Sequence, residues 1–236
     1  MRGAIIDVSL YTRSFVRKIV CGNNHCLILF NDGQLAAFGS NEEGQLGFDF
    51  KKDGNFYNEI MMNKFSVADT LASRNVVNNQ NPTLISDYDI WDIAAGDNYS
   101  LVLIRSGMRT LLVKFGISPQ DKYASDMNKV KSVNLVECDY DRIGNISKVF
   151  AFGQRSLLLT LNNDLYVGGI DFEQNTLDLD KFKHLERFNK QIRSVYMGLE
   201  HCLVLDCKCS ININIYCVFL NKFLKFYILH MNLHIT

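Results

Sequence analysis

One eighteen-residue pattern occurs four times in this chain, and a repeat of that size constrains the fold more tightly than any local propensity. Residues 16–33, V-R-K-I-V-C-G-N-N-H-C-L-I-L-F-N-D-G, return without gaps at 90–107, 146–163 and 192–209. The first position reads Val16, Ile90, Ile146 and Ile192, and the fourth reads Ile19, Ile93, Val149 and Val195. Behind the turn stand Leu27, Leu101, Leu157 and Leu203, followed two residues on by Leu29, Leu103, Leu159 and Leu205.

Each copy reads as a small antiparallel sheet. An Ile/Val-rich strand runs to Gly22, which is expected to take a positive φ and turn the chain. Cys26-Leu27-Ile28-Leu29-Phe30 is apolar at nearly every position, as expected of a strand covered on both faces. Asn31-Asp32-Gly33 supplies hairpin chemistry and leads into the return strand at 34–39. Ser106-Gly107 and Asn162-Asn163-Asp164 stand at the matching places in the second and third copies. A sheet this small cannot bury both faces alone, so the copies must stack, and radial stacking of short sheets makes a propeller.

The copies start at 16, 90, 146 and 192, so the connections between them vary in length. The largest excess, 48–89, is rich in Asn and poor in strand signals, and is expected to be a long irregular insertion loop at one rim. Downstream of the fourth copy, 207–236 carries no glycine and no acidic residue, and reads as an apolar tail that does not complete a blade.

The first copy continues into F-G-S-N-E-E-G-Q-L-G at 38–47, and there the chain resembles the repeat of the regulator-of-chromosome-condensation (RCC1) family. Gly22, His25, Cys26 and Leu27 match that family's G-x-x-H-S-L block with Cys for Ser, and Phe38, Gly39, Asn41, Gly44, Gln45, Leu46 and Gly47 match the remainder. The later copies depart from it. Tyr99 and Arg155 stand at the His position, Phe152 at the turn glycine, and only the fourth copy recovers both Gly198 and His201. The resemblance implies an all-β fold: a partial RCC1-type β-propeller of three full blades plus the start of a fourth. The repeats span 16–206, as about 16–47, 90–116, 146–169 and 192–206. Such propellers usually close with about seven blades, within the general range for the architecture, so the chain is expected to be a fragment of a larger one.

Candidate sites are few. A ring of catalytic groups would not vary as His25, Tyr99, Arg155 and His201 do, so these read as structural side chains with one hydrogen-bond partner each. His201, Cys202, Cys207, Cys209 and Cys217 lack zinc-site spacing, and His201 and Cys202 should face opposite ways on a strand. Cys21, Cys26 and Cys202 lie in apolar runs and read as small buried hydrophobes, which leaves no disulfide framework. G-Q-L-G at 44–47 lacks the Lys-Ser/Thr of a phosphate loop. Glu42, Glu43, Asp49 and Asp53, beside Lys51 and Lys52, make a charged rim. No catalytic, cofactor-binding or metal residue is assigned, and protein-binding residues are left unassigned.

The 25 basic and 25 acidic residues cancel, so no global field favours nucleic acid. Residues 1–15 hold no signal-peptide pattern, and Asn221, Lys222 and Lys225 interrupt the apolar run at 215–229. The chain is therefore expected to be intracellular, in cytoplasm or nucleus, and neither membrane-bound nor an enzyme. The resemblance implies a protein–protein interaction scaffold. The alternative it implies is guanine-nucleotide exchange on a Ran-like small GTPase, with no cofactor and no small-molecule substrate in either case.

Overall fold

The structure, a computed structural model, describes residues 13–47, 56–63, 88–106, 109–116, 134–135, 140–171, 176–198, 201–206, 212–219 and 231–234. Among them, sixteen strands form four antiparallel sheets of four strands each, and every sheet pairs its strands in chain order. Sheet 1 holds β1 (Val16–Cys21), β2 (His25–Phe30), β3 (Leu35–Gly39) and β4 (Phe56–Asn63). Sheet 2 holds β5 (Tyr88–Ala95), β6 (Tyr99–Ser106), β7 (Arg109–Gly116) and β8 (Asn134–Leu135). A single helical turn, α1 (Tyr140–Ile143), precedes sheet 3, which is built of β9 (Ile146–Phe152), β10 (Arg155–Thr160), β11 (Asp164–Asp171) and β12 (Thr176–Arg187). Sheet 4 holds β13 (Ile192–Met197), β14 (His201–Asp206), β15 (Asn212–Phe219) and β16 (Met231–His234). The chain divides into two compact units, residues 1–137 and 138–236, with two sheets in each.

The repeated leucines acquire a role from the period of the strand, which sends alternate side chains to opposite faces. In the first unit, Leu27 and Leu29 of β2, with Leu35 and Ala37 of β3, pack against Ile90 and Ile93 of β5 and Val102 and Ile104 of β6. In the second unit, Leu157 and Leu159 of β10 and Leu165 of β11 pack against Ile192, Val195, Cys202 and Val204 of β13 and β14. Both interfaces follow one rule. The leucine pair of one sheet meets the residues that alternate with the repeat leucines on the next sheet's second strand, Val102 and Ile104 in the first unit and Cys202 and Val204 in the second. A fully buried Leu stabilises by roughly 1.5–3 kcal/mol, which makes these interfaces the main cohesive contribution within each unit.

Turn chemistry follows the sequence closely. Gly33 has φ +81° and its N–H donates to the Phe30 carbonyl at 3.1 Å. Asn163 has φ +62°, a left-handed conformation that Asn tolerates, and the Thr160 hydroxyl accepts the Asp164 N–H at 3.1 Å.

Four expectations need correction. The insertion at 48–89 is not one irregular loop: residues 56–63 form β4, and 88–89 already belong to β5; its remaining parts lie outside the described residues. The tail at 207–236 does complete the fourth sheet, because β15 pairs with β14 and β16 with β15. An exposed strand edge needs only backbone partners, and the alternation Ile213-Asn214-Ile215 is itself a period-two strand pattern. Gly22 is not among the positive-φ residues, so its requirement is for space. Finally, Cys21 is exposed and Cys26 half-buried, and only Cys202 is buried as expected. Among the described residues no helix is long and apolar enough to cross a membrane.

Candidate protein-binding surface

The turn between the first two strands explains the glycine and the ring that follows it three residues later. The Gly22 N–H donates to the His25 carbonyl at 2.8 Å, closing a tight hairpin across Asn23-Asn24. The His25 ring folds back over the glycine, and a Cβ on Gly22 would strike both that imidazole and the Gly96 carbonyl. Sheet 2 repeats the arrangement with the Tyr99 ring over Gly96, and sheet 4 places the His201 imidazole 2.9 Å from where a Gly198 Cβ would stand. Sheet 3 gives up both partners together, with an exposed Phe152 and a buried Arg155 paired across the turn.

The G-Q-L-G segment fastens sheet 1 to sheet 2. Asn41 accepts the Gly44 N–H on its carbonyl at 3.0 Å and the Leu46 N–H on its side chain at 3.0 Å, so the loop winds tightly enough to bury Leu46 in the first core. The Ser100 hydroxyl donates to the Gln45 carbonyl at 2.7 Å and lies 2.9 Å from His25 Nε2. The hydroxyl's proton is committed to Gln45, so the imidazole donates through Nε2 and leaves Nδ1 as a buried lone pair without a hydrogen-bond partner. Burial pushes the His25 pKa down to about 4, against a smaller opposing pull from the Tyr99 backbone. This is a structural histidine that binds two sheets through a serine. In the loop itself, Glu43 donates its N–H to the Gln45 side chain at 2.9 Å and Glu42 is exposed; Asp49 and Asp53 lie outside the described residues.

A feature shared by all four sheets escaped the sequence reading. The first strand always carries a bulge at the second position of the repeat: the cross-strand register skips Arg17 in β1, Trp91 in β5, Ser147 in β9 and Arg193 in β13. A bulged residue is released from the alternation that assigns its neighbours to one face or the other. In the first unit this brings three side chains together. The Arg17 guanidinium lies 5.1 Å from the centre of the Trp91 ring, and that of Arg105, on β6, lies 5.0 Å from it. Both arginines are exposed and Trp91 is 37% exposed. Beside them Lys18 is ion-paired with Asp92 at 2.7 Å, whereas neither arginine has a carboxylate partner among the described residues. The available signal was that Arg17 and Trp91 occupy the same repeat position.

The remaining candidates do not converge. His201 is exposed and Cys202 buried on the opposite face of β14, while Cys207 and Cys209 lie outside the described residues. Cys26 Sγ approaches Cys21 Sγ to 2.7 Å across the β1–β2 pair, and its thiol is pushed up to about 12, by burial first and by Cys21 second. In the second unit a buried Asp164 accepts two hydrogen bonds from Arg187, at 2.7 and 2.8 Å, and one contact from His184 at 3.0 Å. The Arg187 bonds hold its carboxyl below the usual carboxylate range, and the cluster clamps β11 to β12.

Residues 16–45 match the family model of the Regulator of chromosome condensation (RCC1) repeat. No curated protein matches the chain. Among solved structures, human WBSCR16 is similar over 87% of this chain and 48% of its own, at 17% identity and a TM-score of 0.58. Yeast RCC1 (Prp20), solved bound to Kap60, aligns over 85% of this chain and 55% of its own, at 16% identity and a TM-score of 0.41. Prp20p from Saccharomyces cerevisiae, characterised for binding to Gsp1p and histones, aligns over 85% and 57%, at 15% identity and a TM-score of 0.40. The chain spans about half the length of these solved proteins. It carries an RCC1 repeat, and its four all-β sheets match part of an RCC1-type propeller.

Proposed function

We propose that the protein is an interaction scaffold of the RCC1-like class, acting by binding a protein partner and not by covalent chemistry of its own. The observation that carries this reading is Trp91, more than a third exposed, with Arg17 from one sheet and Arg105 from the next each about 5 Å from its ring centre. Tryptophan and arginine dominate the residues that contribute most to protein–protein affinity, because each combines large contact area with few lost rotamers or a fixed fork of donors. The sheets beneath are fixed by the Leu46 core and the His25–Ser100–Gln45 bridge, so the surface is pre-organised and little ordering entropy opposes binding.

Affinity capture with the wild-type chain and with Trp91→Ala tests the reading. Proteins captured by the wild type should be lost from Trp91→Ala but retained by Leu161→Ala, an exposed apolar position in the second unit. An identical captured set for all three would reject it. Circular dichroism of each variant separates lost binding from lost folding.

A further inference from the structure

Resting on the scaffold reading, we infer that the Arg17–Trp91–Arg105 surface receives an acidic, extended protein segment whose carboxylates sit on the two guanidinium groups. Each guanidinium lies against the indole, and the two charges are at most about 10 Å apart. Cation–π attraction holds an arginine near the ring, and its fork of N–H donors can still make two parallel hydrogen bonds to a carboxylate. Nothing among the described residues uses those donors as an ion pair. Asp89 stands opposite Arg105 in register without an ion pair, and the other nearby cation, Lys18, is already neutralised by Asp92.

The spacing defines the ligand. An extended chain rises about 3.3 Å per residue, so acidic residues up to three positions apart span the two arginines, with Trp91 against the segment between them. A protein segment fits better than nucleic acid. Phosphate backbones need a continuous positive surface, and here Asp89 and Asp92 interrupt the cations within a chain of zero net charge.

Trp91 is the chain's only tryptophan, so its fluorescence reports this surface and no other. The full chain is titrated with a peptide bearing Glu at alternate positions, with the same peptide carrying Gln or Lys there, and with a single-stranded oligonucleotide of matching charge. The Glu peptide should change Trp91 emission saturably, with an affinity that falls as salt rises and that drops tenfold or more in Arg17→Gln/Arg105→Gln. The Gln and Lys peptides and the oligonucleotide should not. Equal response to the Gln peptide, or to the oligonucleotide, overturns the acidic-segment inference while Trp91 remains a binding residue. No response to any probe, together with unchanged capture by Trp91→Ala, overturns the scaffold reading as well.

Discussion

Lowering the pH should weaken the first unit through one side chain, His25. In the folded chain its ring is buried at 2% exposure and donates through Nε2 to Ser100, so a second proton would have to enter at Nδ1, where the structure offers no hydrogen-bond partner. The folded pKa is about 4, against 6.5 for an ordinary histidine. Between those values the unfolded chain takes up a proton that the folded chain refuses. Stability is therefore complete above pH 6.5, falls as the pH drops towards 4, and levels off below. At about 1.4 kcal/mol per pH unit, the window removes about 3–4 kcal/mol. Urea unfolding followed by Trp91 fluorescence at several pH values measures this, because the only tryptophan lies in the same unit. His25→Tyr is the control: Tyr99 fills the equivalent place above Gly96 in sheet 2, so a ring is kept while the titration is lost. The difference between wild type and variant should stay constant from pH 8 to 6.5 and then shift steadily in the variant's favour down to pH 4. Parallel curves would show that His25 is protonated in the folded state and refute the reasoning.

Three further outcomes follow from the same geometry. Leu27→Ala, at 0% exposure, should lower stability by about 3 kcal/mol, while Leu203→Ala, the same repeat position at 40% exposure, should cost less than about 1 kcal/mol; urea midpoints compare the two. Gly96→Ala drives a methyl group into the buried Tyr99 ring and should cost about 1–3 kcal/mol, read as a shifted thermal midpoint. With iodoacetamide at pH 8, exposed Cys21 should alkylate well before Cys26, whose thiol stays protonated to about pH 12; equal rates by peptide mass mapping would contradict the burial of Cys26.

How much of this was legible beforehand depended on whether a residue's role was periodic. The leucines recur in all four copies and the hairpin glycine in the first two, whereas the G-Q-L-G loop, present once, is legible through its resemblance to the RCC1 repeat. Strand β4 and the strands β15 and β16 were missed because edge pairing is a backbone interaction and demands little of the side chains. The burial of Cys21 was misjudged for a related reason: an apolar run shows that a strand is covered somewhere, not which of its ends reaches solvent. The role of Gly22 was mistaken in kind. Sequence alone does not distinguish a glycine that needs an unusual φ, as Gly39 does at +109° with the Asn24 carbonyl where a Cβ would be, from one that needs only room for a neighbouring ring.

The bulge position was the hardest to read, and the reason bears on function. Positions that face a core are held to apolar residues and the turn is held to glycine or to a compensated pair such as Phe152 and Arg155. The bulged residue answers to neither constraint, and the four copies accordingly carry Arg17, Trp91, Ser147 and Arg193. Ser147 turns its hydroxyl back to the Leu159 carbonyl at 2.9 Å, and the Arg193 backbone carbonyl accepts the Lys148 amine at 2.8 Å. In the first unit the same freedom places a guanidinium on an indole at the surface. Exposed positions away from buried contacts shift stability by no more than about 0.5 kcal/mol when changed. Binding chemistry can therefore differ from sheet to sheet at this point while the stacked leucines, and with them the fold, remain undisturbed.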